Sequence, residues 1–147
     1  MSALVDVSVL RWLPAESVDV AEVRTAVAGL VARTPGAGVE SVDISPNGRV
    51  VSLQVASVVS LSAWYDLAGR ASGGTASRET GGLSWFVRLP PFIELPDVRV
   101  ELTTVSGEFE VLPRSALVRA MCPWMSRRWA VQDREAAAAA ARLRVAA

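Results

Sequence analysis

The side chains here that can do chemistry are 15 carboxylates, 15 guanidiniums and one thiol; there is no histidine and no lysine. Without histidine, Ser-His-Asp and Cys-His nucleophile systems are excluded, as are histidine-ligated zinc and iron. Without lysine there is no Schiff base, no Walker lysine and no kinase-type lysine. A single cysteine, Cys122, makes no redox pair, disulfide framework or zinc knuckle. Paired carboxylates remain, of the kind that serve glycosidases or hold magnesium. The candidates are Glu94, Asp97, Glu101, Glu108 and Glu110, and the last two share a face if they lie on a strand. No Asp-x-Asp run accompanies them, so a solvated strand face is the expected reading. Residues 72–82 combine glycines and hydroxyls with the nearby Arg70 and Arg78, a composition able to cradle a phosphate. Neither GxGxxG nor GxxxxGK[ST] is present there, so a connecting loop is expected. Cys122 stands before Pro123 with no base to activate it, and reads as a buried, inert thiol. No catalytic residue, metal ligand or cofactor is assigned, and the chain is read as non-enzymatic.

The C-terminal stretch has more content. Trp124 and Trp129 bracket Met125, Ser126, Arg127 and Arg128. On a helical wheel Met125, Trp129, Ala136, Ala140 and Leu143 share one stripe, with Arg127, Arg128, Arg134 and Arg142 opposite. Three readings follow. The stripe docks on a protein partner or a second subunit, with Trp124, Met125, Trp129 and Leu143 as contacts. It packs on the chain's own sheet, with the arginines in solvent. Or the segment binds nucleic acid, with Arg114, Arg119, Arg127, Arg128 and Arg134 on phosphates and indoles stacked on bases. The runs 4–9 and 49–55 hold no aromatic residue, unlike an RNA-recognition sheet. The apolar face is mostly alanine, which argues against a membrane-surface helix.

The charge is uneven. Residues 1–113 carry 8 Arg against 13 Asp and Glu, a net of −5, and residues 114–147 carry 7 against 2, a net of +5. That asymmetry points to an interaction tail and a head-to-tail electrostatic route to association. Hydrophobic residues make up 51% of the 147, enough for one folded core without disulfides or metals. Residues 1–10 have no basic stretch and include Asp6, so no signal peptide is read. The longest uncharged run, 50–65, is too short to span a bilayer. A cytoplasmic location, or an assembly built there, is expected.

The elements that would position these residues are organised around residues 17–55. Asp19 and Glu22 have capping-box spacing, and Val18 and Val23 stand at the positions of a hydrophobic staple. Val20, Val23, Val27, Leu30 and Val31 recur at helical spacing until Thr34-Pro35-Gly36 stops the helix. Strands 39–44 and 49–55 flank Ser45-Pro46-Asn47-Gly48, a strong hairpin turn. In the first, Glu40, Val42 and Ile44 alternate against Val39, Ser41 and Asp43. A first strand is expected over 4–13. A second helix is expected after Ser60 or Ser62, ending at Gly69, followed by a loop over 70–82 and a strand over 83–89. A second hairpin, 98–105 with 108–112, is expected around Ser106-Gly107. A short helix over 114–122 should break at Pro123, and a longer one should start at Ser126, since 136–141 is all alanine.

That order is the split βαβ, or ferredoxin-like, order with an extra hairpin and a helical C-terminal extension, an α+β two-layer sandwich. Residues 1–112 would form the α+β domain and 113–147 the Arg/Ala-rich extension. The run Val39-Glu40-Ser41-Val42-Asp43 and the Asn47-Gly48 turn resemble the equivalent part of heavy-metal-associated domains. The resemblance implies the fold. Those domains bind metal through Cys-x-x-Cys before the first helix, where this chain has Leu13-Pro14-Ala15-Glu16-Ser17, so it implies no metal. The expected function is a non-catalytic interaction or assembly subunit, self-associating as a homo-oligomer or docking on a protein partner through its C-terminal helix. A virion- or phage-type particle is one setting that fits. The alternative is a nucleic-acid-binding accessory protein.

Overall fold

The computed structural model describes residues 18–107 and 111–146. Their order is α1 (Val20–Ala32), β1 (Val39–Ile44), β2 (Val50–Val55), α2 (Val58–Ala68), β3 (Gly73–Glu79), β4 (Gly82–Leu89), β5 (Arg99–Gly107), α3 (Ala116–Met121) and α4 (Met125–Ala146). The class is α+β, with a C-terminal helix as expected.

Local chemistry sets the helix ends. Asp19 caps α1, its carboxylate accepting the Ala21 N–H at 2.9 Å. The cap of α2 is Ser57, which accepts the Ser60 N–H, and not Ser60 or Ser62. Ser60 and Ser62 lie inside the helix and are buried, Ser62 donating to the Val58 carbonyl at 2.8 Å. Gly69 ends α2 in the left-handed conformation, φ 78°. Ser115 caps α3 by accepting the Val118 N–H.

The five strands form one mixed sheet in the order β1-β2-β5-β4-β3. β2 and β5 are parallel, and every other pairing is antiparallel. In a ferredoxin-like sheet the first strand of the chain would lie parallel beside β2. Here β5 takes that place, and the expected strand over 4–13 lies outside the described residues.

Two expectations are corrected. The expected turn at Ser106-Gly107 is strand instead: Ser106 pairs with Leu83 and Gly107 with Gly82, so β5 includes both, and 108–110 of the expected second strand lie outside the described residues. The loop over 70–82 is not a loop either, because residues 73–79 pair with β4 as an edge strand. The extra hairpin is therefore β3–β4, turning at Thr80-Gly81. Pairing with a neighbouring strand outweighs weak local β-propensity.

β1 also departs from simple alternation. A bulge at Glu40 shifts the register, so that Val39 opposes Val55, Val42 opposes Leu53 and Ile44 opposes Val51. Val39, Val42 and Ile44 therefore share the core face, and Glu40 does not join them.

All four helices bury residues in one core on one face of the sheet. Val23, Val27 and Leu30 of α1, Leu61 and Trp64 of α2, Leu117 and Val118 of α3 and Met125 and Trp129 of α4 meet Val51, Leu53, Trp85, Val87, Val100 and Leu102. Polar groups inside are paired: Trp85 donates to Ser106 Oγ at 2.9 Å and Thr104 to the Val55 carbonyl at 2.8 Å. The other face carries Ser52, Gln54, Thr103, Ser84 and Thr75, the solvated alternation of a two-layer fold.

Candidate functional site

α3 and the start of α4 form the root of a projecting arm. Ser62 of α2 and Ser115, the α3 cap, are hydrogen-bonded at 2.9 Å, which ties α3 to the body. Pro123 ends α3, and the chain turns tightly, the Met125 N–H reaching the Cys122 carbonyl at 2.9 Å. Met125 and Trp129 stand four residues apart on one face of α4, each only 6% exposed. Arg114 and Arg119 cover the Trp129 ring, their guanidinium carbons 5.7 and 5.8 Å from its centroid.

One turn further on, Arg114 clamps Asp133 with both nitrogens, Nη2 to Oδ1 at 2.8 Å and Nη1 to Oδ2 at 3.1 Å. The hydrogen bond from Arg114, reinforced by its charge, holds the Asp133 carboxyl below its ordinary value. A lowered folded-state value means that the contribution is present above the unfolded value of about 3.9 and is lost as pH falls through the folded one. Asp133 is expected to titrate below the usual aspartate range by NMR, and Arg114→Gln to return it there. As pH falls through that lowered value the clamp should open, with faster exchange at the amides of 130–133 and little change in the sheet. An unshifted Asp133 would show that the pair does not form in solution.

Past Trp129 the helix leaves the body. Every residue from 130 to 146 is exposed. The 13 residues after the clamp extend roughly 20 Å at helical rise. Helix continues there because the docked turns act as nucleus and the six alanines propagate it well. Arg144 in the last turn complements the helix dipole.

The four expected partner contacts separate into two pairs. Met125 and Trp129 belong to the chain's own core, while Trp124 and Leu143 are 50% and 73% exposed. Ala136, Ala140 and Leu143 continue the Met125–Trp129 stripe and are exposed, with nothing among the described residues over them. The five expected phosphate contacts divide as well. Arg114 and Arg119 are engaged with Trp129, and Arg114 also with Asp133. Arg127, Arg128 and Arg134 are exposed, with no ion pair among the described residues. Trp129 lies under two guanidiniums and offers no open ring for stacking.

The other candidates do not converge on one site among the described residues. Glu94 pairs with Arg33, and its carboxyl is held low by a backbone hydrogen bond and then by Arg33. Glu101 lies 3.7 Å from Arg88 and 3.8 Å from Arg99. Glu108 and Glu110 lie outside the described residues. No group of three or more Cys, Asp or Glu among the described residues can hold a metal. In the β3–β4 ladder the backbone N–H groups of 73–79 alternate in direction and do not converge on a phosphate. Cys122 is buried, which pushes its thiol up and keeps it protonated. Among the described residues no helix is long and apolar enough to cross a membrane.

One feature escaped the sequence reading: an apolar groove of about 440 Å³ between α1 and the edge strand β1. The bulge at Glu40 hid it, because simple alternation separates Val39 from Val42. Comparisons with protein-family models, curated proteins and solved structures find no match for this chain.

Proposed function

We propose that this chain is a non-catalytic assembly subunit that associates through α4, with itself or with a protein partner. The observation that supports this reading is the arm: a helix rooted in the core by Met125 and Trp129 whose distal stripe, Ala136, Ala140 and Leu143, is uncovered. Stability of the body does not require those distal turns, since they bury nothing. An uncovered face on a rigid helix is what a groove-docking helix presents before it meets its partner. The opposite charges of residues 1–113 and 114–147 favour contact between the body of one molecule and the arm of another. A particle assembled in the cytoplasm, of virion or phage type, is a setting in keeping with this role. The test is solution mass by light scattering, for the full chain and for a chain ending at Ala130. Association that disappears with the arm supports the reading; a full chain that stays monomeric alone and captures no protein partner sinks it.

The second reading is a nucleic-acid accessory role, favoured by the exposed guanidiniums of Arg127, Arg128 and Arg134, which make no ion pair among the described residues. Three phosphate contacts would give a log–log salt slope of about −3 on duplex DNA. Binding that ignores salt, or that survives Gln at all three positions, excludes it.

A further inference from the structure

Val27, Ala28, Val31 and Ala32 of α1 and Val39 and Val42 of β1 line the groove, with Arg24 at one end. Val42 points to the core face yet is 45% exposed, because no helix among the described residues lies over it. Among the described residues β1 is an edge strand, so the groove is a slot at the rim of the helical layer.

We infer that this slot receives the arm of a second copy of the chain. The inference rests on the arm reading above and names its partner. The arm's own body is not available to it: α4 runs unbroken from Met125 to Ala146, so its distal half does not fold back. Charge fixes a direction. Arg24 marks one end of the slot, and Val31, Ala32 and Val39 the other, where α1 ends and β1 begins. Glu135 and the stripe residue Leu143 lie eight residues apart on α4, about 12 Å, close to the seven residues and about 10 Å from Arg24 to Val31 on α1. An arm running in the direction of α1 sets Glu135 beside Arg24 and Leu143 toward Val31 and Val39. Ala136, Ala140 and Leu143 then lie on the valines, and the alanines allow a close approach. The contact joins unlike surfaces, so each copy has one arm to give and one slot to fill.

The test uses two full-length variants, a slot variant Val42→Asp and an arm variant Ala140→Glu with Leu143→Asp, all at exposed positions. Light scattering should find the natural chain associated, each variant alone monomeric, and their mixture a 1:1 complex through the one intact arm and the one intact slot. If Val42→Asp associates like the natural chain, the slot is not the receiver and this inference fails while the arm reading stands. If the natural chain is monomeric, an arm that works only on another protein is left, and the inference again fails. A mixture that stays monomeric overturns it too. Charge exchange guards against misfolding. Arg24→Glu and Glu135→Arg should each weaken association about 2- to 5-fold, the range of an exposed pair, and together restore it. Losses that simply multiply would refute the proposed direction.

Discussion

Trp64→Ala is expected to cost about 3–5 kcal/mol, a large share of the roughly 5–15 kcal/mol that holds a domain folded. Trp64 is fully buried in α2, and it does three things at once. It fills the core between helix and sheet. Its indole N–H donates to the Ala37 carbonyl at 3.0 Å, across the connection between α1 and β1. Its ring meets Phe92 edge-on at 6.4 Å, anchoring the chain ahead of β5. Alanine leaves a cavity and an unpaired buried carbonyl. Trp64→Phe keeps most of the volume and loses the hydrogen bond, so it should cost clearly less. Urea unfolding measures both. An alanine variant within about 1 kcal/mol of the natural protein would mean that the α2–sheet contact is not the centre of the fold.

The second expected result concerns where the chain may be cut. A chain ending at Pro123 loses Met125 and Trp129 from the core and Asp133 from its clamp, so it should lose about 3–5 kcal/mol. At a few degrees per kcal/mol for a chain of this size, the melting temperature should fall by about 10 °C or more. A chain ending at Ala130 keeps both side chains and gives up only exposed turns and the clamp. It should melt within a few degrees of the full chain. Equal melting of the two truncated chains would show that Trp129 is not seated in the core. The comparison also separates root from arm: loss of association in the shorter chain alone would reflect unfolding, and loss in both reflects the missing arm.

Much of the fold was legible because the relevant forces are short-ranged. Asp19, the Pro46-Asn47-Gly48 turn, Gly69 and Pro123 act on backbone groups within a few residues, and each acts where the sequence places it. The edge strand β3 was not legible. Gly73-Gly74-Thr75-Ala76-Ser77 has the composition of a loop and becomes a strand only because β4 lies beside it. Glycine serves close approach here: a Cβ on Gly74 would stand 2.8 Å from the Phe86 carbonyl oxygen. The lost turn at Ser106-Gly107 has the same origin. A Cβ on Gly82 would stand 2.3 Å from the Ser106 carbonyl oxygen, so the glycine lets β4 and β5 pair to their ends. A glycine that marks a turn and one that admits a neighbouring backbone look alike in sequence.

The same division holds for the candidate site. By itself the sequence determined the absence of histidine and lysine chemistry, the helix after Pro123, its two faces and the basic charge of its end. All of these follow from residue identity and a helical period of 3.6. The tertiary structure decided that Met125 and Trp129 face inward, that Arg114 reaches Asp133, that the stripe runs out into solvent at Ala136, and that β1 leaves a slot beside α1. Periodicity says which residues share a face. What covers that face depends on chain segments far away in sequence, which meet it only when the sheet and its helices close around one core.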